Sequence, residues 1–130
     1  GLHFVQLHGT EPPELLQRIK RPVIKALRIE QPSDLELVTR YAPYAWRLLL
    51  DTPTPGWGGS GQTNDWQLAS QVARETRILL AGGLSPENVA EAIGQVHPWG
   101  VDVSSGVETN KQKDIAKIQT FLQNVRQVTA

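Results

Sequence analysis

The chain has 130 residues, 39% of them hydrophobic, which is enough for one domain with a core and too few for two. Thirteen basic and thirteen acidic side chains cancel, so no electrostatic footprint for nucleic acid or an anionic membrane is expected. Cysteine is absent, which excludes disulfides and thiolate metal sites and fits a cytoplasmic setting. The longest apolar runs are only a few residues, too short for a membrane span or a secretory signal core. Methionine is absent as well, so either an initiator was removed ahead of Gly1 or the chain is a piece of a longer one.

In chain order, His3 to Leu7 reads as a strand, and Pro12 and Pro13 suit the first turn of a helix carrying Leu15, Leu16 and Ile19. Val23 to Leu27 is a second strand. Ser33-Asp34-Leu35-Glu36 fits a capping box, with Leu35, Val38 and Ala42 continuing at helical spacing. Arg47 to Asp51 is a third strand whose three leucines predict burial on both faces, and it ends on a single carboxylate. Pro53, Pro55 and four glycines up to Gly61 follow it, before a helix near Trp66 that Asn64 or Asp65 is placed to cap. Arg77 to Ala81 is a fourth strand ending in Gly82-Gly83, after which Ser85 and Pro86 open a helix with Val89, Ala92, Ile93 and Val96 on one side. Val101 to Ser104 is a fifth strand followed by Ser105-Gly106. A last helix from Asp114 is expected to line up Ile115, Ile118, Leu122 and Val125. Five strand–helix units in strict alternation, roughly two dozen residues each, predict a parallel sheet, curved into a barrel or open.

Parallel α/β folds bind ligands beyond the carboxyl ends of their strands, so the residues at those ends carry the functional reading. The central loop contains Gly56-x-Gly58-x-x-Gly61, but it lies several residues past its strand, whereas the dinucleotide fingerprint needs its first glycine at the turn itself. A phosphate loop of the Walker type is equally poor, because Gln62 replaces the essential lysine. The loop is then either a surface loop or a lid. Gly82-Gly83 and Ser105-Gly106 close consecutive strands. They are either ordinary tight turns or an anion-binding concavity built from backbone N–H groups. His8 either meets a ligand or caps its turn, and Lys25 either meets an anion or is solvated. No group of histidines and carboxylates has metal-ligand spacing.

Six motifs, VQLHG (5–9), IKAL (24–27), LLLD (48–51), GGSGxTxDW (58–66), LLAGGLxPxNV (79–89) and VDVSSGVE (101–108), occur in the order seen in phosphoribosylanthranilate isomerase, and the chain resembles that family over nearly its whole length. The resemblance implies a (β/α)8 barrel of about 200 residues. Residues 1–130 would be the C-terminal part of that single domain, strands four to eight, with the first three units absent. It assigns Asp51 as general acid and gives Gly82, Gly83, Ser105 and Gly106 to the phosphate loops. Asp102, Gln6 and His8 fall near the substrate. The family's general base, a cysteine on its first strand, and an arginine on its second unit that helps hold the anthranilate have no counterpart segment here. Asn64 replaces an apolar residue of the family pattern, and Lys111 stands where glycine is common.

What the resemblance implies chemically is a cofactor-free Amadori rearrangement of N-(5-phosphoribosyl)anthranilate, an aldose–ketose isomerisation in tryptophan biosynthesis. An acid protonates the ring oxygen, the ring opens to a Schiff base, a base removes the C2 proton, and the enolamine relaxes to the ketone. Asp51 would need burial to lift it above the ordinary aspartate pKa of about 3.9. The implied partners are a small phosphosugar and either the absent units or a second copy meeting the open sheet edges. A non-catalytic phosphate-binding half-barrel is the alternative. A different phosphosugar barrel, such as a thiamine phosphate synthase, is opposed by LLLD and GGSGxTxDW.

Overall fold

In the computed structural model the described residues are 1–52 and 65–129. The proline- and glycine-rich loop after Asp51, with the lid reading and the Asn64 cap, lies outside them. Five parallel strands pair in sequence order: β1 (Val5–Leu7), β2 (Val23–Arg28), β3 (Arg47–Asp51), β4 (Ile78–Ala81) and β5 (Gly100–Val101). Helices α1 (Pro13–Arg18), α2 (Leu35–Tyr41), α3 (Asp65–Glu75) and α4 (Val89–Val96) alternate with them, and α5 (Ile115–Thr129) closes the chain. This is the expected α/β arrangement of successive parallel βα units.

The alternation of the strands explains where the core sits. Val23, Leu27, Leu48, Leu50, Ile78 and Leu80 point to one side of the sheet, are all nearly inaccessible, and pack with Leu16, Tyr41, Trp66, Ala69, Val72, Val89, Val96 and Phe121 from the helices. The opposite face carries Ile24, Ala26 and Leu79, which are half-buried, and Leu49 and Ala81, which are buried. β3 is therefore buried on both faces, as its three leucines predict.

Several ends differ from the sequence expectation. β1 begins at Val5 rather than His3, where the Val5 amide donates to Pro22 O. Ser33 does not cap α2. Pro32, lacking an N–H, takes the first position of a 3₁₀ turn (Pro32–Asp34), and the Asp34 carboxylate reaches back to the amides of Glu30 (2.8 Å) and Gln31 (3.0 Å). α4 starts at Val89 because Ser85 to Asn88 form a separate turn, closed by the Asn88 side chain accepting from the Ser85 amide at 2.8 Å. β5 is only two residues long, although the Asp102 amide still donates to Leu80 O at 2.8 Å.

On α5 the inward stripe is Ile118, Phe121 and Val125, while Ile115 and Leu122 are 72% and 46% exposed. Both stripes share Ile118 and Val125, and the larger Phe121 takes the buried position. Asp114 begins this helix as expected, its carboxylate accepting from the amides of Ala116 and Lys117.

A short hairpin went unread in the sequence: β6 (Glu108–Thr109) and β7 (Gln112–Lys113), antiparallel, joined by Asn110 and Lys111. Both turn residues have positive φ, 52° and 61°, which fits a two-residue turn of the primed kind. Lys111 thus occupies the left-handed conformation that glycine adopts without cost. Lys111→Gly is expected to raise stability by roughly 0.5–1 kcal/mol, because the relief of backbone strain exceeds glycine's added unfolded-state entropy. Urea denaturation of the two proteins checks this.

Lys25 is neither solvated nor at a ligand site. It lies on the helix side of β2, 1% exposed, and its ammonium donates to Gly9 O (2.6 Å) and Glu11 Oε2 (2.8 Å), with the Tyr41 ring 5.2 Å away. That hydrogen bond holds the Glu11 carboxyl below its ordinary value. Asp34 is lowered by the Glu30 amide, Glu87 by the Ser85 hydroxyl and Asp114 by the Thr109 hydroxyl. A carboxyl lowered in the folded state contributes stability that is present above its unfolded pKa and is lost as pH falls through the folded one. The chain is therefore expected to keep its urea midpoint from pH 7 to about 5 and to lose it progressively below the ordinary carboxylate range near pH 4. A midpoint at pH 3 equal to that at pH 7 would refute this.

Candidate active site

The carboxyl ends of all five strands converge on one cavity of about 390 Å³. Its apolar floor is Ala26, Leu49, Ala81, Leu84 and Val103, and its polar rim includes Gln6, His8, Asp51, Asp102, Ser104 and Ser105. Gly82, Gly83 and Gly106 complete it. Every residue that the sequence reading placed at the site lines this cavity: Gln6 and His8 from the end of β1, Asp51 from β3, Gly82 and Gly83 after β4, and Asp102, Ser105 and Gly106 after β5. A groove of about 450 Å³ between α2 and α3 is larger, but it lies in the helix layer away from the strand ends.

Asp51 is set by register. It pairs with Arg28 on β2 and Ala81 on β4, at the last position of β3, and is half-buried. Its backbone is fixed by the Ile29 amide donating to Asp51 O at 3.1 Å, and the next amide, of Thr52, donates to Ala81 O at 3.1 Å. Arg28 was missed in the sequence, which ended the strand at Leu27. The signal was available in the alternation, because Ala26 and Arg28 share the face that Leu49 and Asp51 occupy. The Arg28 guanidinium is held charged chiefly by its hydrogen bond to Glu30, with the nearby Asp51 carboxylate adding to the effect.

The glycines of the two turns have different reasons to be there. Gly82 has φ +97°, and a Cβ placed on it would lie 1.9 Å from Thr52 O, 2.6 Å from Thr52 N and 2.7 Å from Asp51 Oδ1. Gly106 would put a Cβ 1.8 Å from Leu84 O. These two positions are glycine because neighbouring strand ends press against them, which brings β3 to β4 and β4 to β5 at the cavity wall. Gly83, at φ +57°, is exposed. Chemically, the cavity combines one half-buried carboxylate with loops of small residues. Among the described residues the amides of Ser105 and Gly106 donate to no protein acceptor. No group of three or more His, Cys, Asp or Glu among the described residues is arranged to hold a metal ion, and no helix among them is long and apolar enough to cross a membrane.

Parallel strands that pair in sequence order, with the helices packed on one face and polar groups gathered at the strand carboxyl ends, are the arrangement of the barrel class of α/β proteins. Within that class, the family model for N-(5'phosphoribosyl)anthranilate (PRA) isomerase matches residues 1–124, and the chain belongs to this family. It is 50% identical over 124 residues to the N-(5'-phosphoribosyl)anthranilate isomerase of Pelobacter propionicus, covering 94% of this chain and 58% of that protein. The crystal structure of the Thermotoga maritima phosphoribosyl anthranilate isomerase superimposes with a TM-score of 0.82 at 45% identity, over 97% of this chain and 62% of that one. A phosphoribosyl anthranilate isomerase in complex with reduced 1-(o-carboxyphenylamino)-1-deoxyribulose 5-phosphate superimposes at 0.80 with 39% identity, over 97% of this chain and 60% of that one. The chain thus spans about three-fifths of the length of these relatives.

Proposed function

We propose that residues 1–130 form the C-terminal part of a phosphoribosylanthranilate isomerase barrel, strands four to eight, and hold its general acid and its phosphate site. The observation that carries this reading is the convergence of Gln6, His8, Asp51, Gly82, Gly83, Asp102, Ser105 and Gly106 on one cavity. In this reading Asp51 delivers a proton to the ribose ring oxygen of N-(5-phosphoribosyl)anthranilate, so that the ring opens to the Schiff base. The turns after β4 and β5 hold the 5-phosphate through backbone N–H groups, which makes the proton transfer effectively intramolecular. Gln6, His8 and Asp102 hydrogen-bond the sugar. Removal of the C2 proton then needs a base, and the cysteine that the family resemblance assigns to that step has no counterpart in the sequence. The absence of cysteine also supports the alternative, a phosphate-binding half-barrel without turnover. β1 and β5 are the outer strands of the described sheet, and their free edges suit either the complementary βα units or a second copy.

The test is calorimetric titration with a ribulose 5-phosphate product analogue. Saturable binding with competition by inorganic phosphate is expected. Gly83→Asp is expected to weaken it at least about tenfold by setting a carboxylate against the anion, since aspartate tolerates the left-handed backbone at this position. Binding that ignores both phosphate and Gly83→Asp would remove the phosphate site from these turns.

A further inference from the structure

The turn at Ser104–Gly106 is gripped from outside the cavity by a residue that the sequence reading left without a role. The hairpin folds β7 back along β6, and this places the Lys113 ammonium beside the turn. It donates to Ser104 O at 2.9 Å, to Ser104 Oγ at 3.3 Å and to Glu108 Oε1 at 2.6 Å. The strap is itself tied down. The Lys117 ammonium donates to Glu108 O at 2.7 Å, and the Asp114 amide donates to Val107 O at 2.9 Å.

A trans peptide is planar, so the carbonyl of Ser104 and the N–H of Ser105 point in opposite directions. A cation that fixes the one fixes the other. Lys113 draws the carbonyl outward, which turns the Ser105 amide the other way, and that amide has no protein acceptor among the described residues. Ser105 and Gly106 line the cavity, whereas Lys113 does not. We infer that Lys113 is a positioning residue for the anion site: by holding the Ser104 carbonyl away from the cavity, it presents the Ser105 N–H to a phosphomonoester bound there. This rests on the phosphate reading above and adds the device that orients the donor. Without Lys113 the Ser104 carbonyl keeps only the long bond from the Val107 amide, at 3.4 Å, and a peptide held that weakly can turn and offer the anion a carbonyl oxygen in place of a hydrogen. Glu108 serves the same end by holding the ammonium in place.

The experiment is titration of the 130-residue chain with inorganic phosphate, by calorimetry and by ¹⁵N–¹H spectra, in the parent and three variants. Lys113→Met is expected to bind about tenfold more weakly, the scale of one charge-assisted hydrogen bond. Lys113→Arg is expected to stay near the parent, because a guanidinium can keep the grip on the carbonyl. Lys111→Met removes the same charge from the same hairpin without touching Ser104, and its affinity is expected to be unchanged. In the parent, the Ser105 amide resonance is expected to move on saturation. The inference is overturned if Lys113→Met binds like the parent, or if Lys111→Met loses as much affinity, since the effect is then general charge. It is overturned equally by a parent Ser105 amide that stays still at saturation, a measurement that stands even where Lys113→Met does not fold. Saturable binding in the parent with unaffected variants refutes Lys113 alone. No phosphate binding in the parent refutes the proposed function and the inference with it.

Discussion

Gly82→Ala is expected to destabilise the chain by about 2–4 kcal/mol. The added Cβ lands on backbone, not on a flexible side-chain end: 1.9 Å from Thr52 O and 2.6 Å from Thr52 N. Neither atom is free to retreat, because the Thr52 amide already donates to Ala81 O and continues the β3–β4 ladder. Overpacking of this kind costs about 1–3 kcal/mol, and a left-handed residue with a Cβ adds about 1–2 kcal/mol. The entropy that alanine removes from the unfolded chain returns only about 0.4–1 kcal/mol. Against a typical domain stability of about 5–15 kcal/mol, the variant is left marginal. Gly94→Ala is the internal control. Gly94 sits within α4 with nothing within 4 Å of a Cβ, so alanine there is expected to add up to about 1 kcal/mol. Urea denaturation of both variants checks the pair. A Gly82→Ala protein as stable as the parent would mean that the β3 and β4 ends are not packed as described.

The same glycine shows where sequence reading reaches its limit. Gly82, Gly83 and Gly106 look alike in a sequence, each a small residue at the end of a strand, and all invite an anion. In the structure the Cβ positions of Gly82 and Gly106 are occupied by the backbones of Thr52 and Leu84, while Gly83 is exposed. A glycine required by packing and a glycine left exposed leave the same letter. Where a single physical requirement acted, the reading was sharp. The Arg47–Asp51 strand is delimited to the residue, because three leucines between two charged ends leave no alternative once both faces are buried. Where two groups competed, it blurred. Phe121 displaced Leu122 from the core face of α5, and Lys25 took a buried place that only the distant Gly9 carbonyl and Glu11 carboxylate make tenable. The β6–β7 hairpin stayed unread because its turn uses Asn110-Lys111, without the glycine that usually announces positive φ. That the candidate site residues gather at one cavity was legible through the order of their motifs and the resemblance to a family. Strand ends and glycines alone left the tight-turn reading open.

Activity is where the largest change is expected. On the proposed placement, Asp51→Asn in this chain joined to the three βα units of a relative that would precede it is expected to lower isomerisation about 10²–10⁴-fold, while leaving phosphate affinity near that of the joined parent. The split follows from position. Asp51 ends β3, whereas the proposed phosphate donors come from the turns after β4 and β5, so the substitution removes a proton without touching the anchor. Asparagine keeps the size and the hydrogen-bonding shape at the point where Asp51 Oδ1 abuts Gly82, so folding should survive. The 130-residue chain by itself is expected to show no measurable turnover even with Asp51 intact. It contains no cysteine to take the family's role as base, and the half-buried face of Ile24, Ala26 and Leu79 has no covering layer among the described residues. The edges of β1 and β5 are expected to bring two copies together, which light scattering can read in the same samples. Full activity in the unsupplemented monomer would defeat both the proposed need for further βα units and the assignment of the base. A completed barrel whose rate is indifferent to Asp51→Asn would remove Asp51 as the acid and turn attention to His8 and Asp102, the other titratable groups that line the cavity among the described residues.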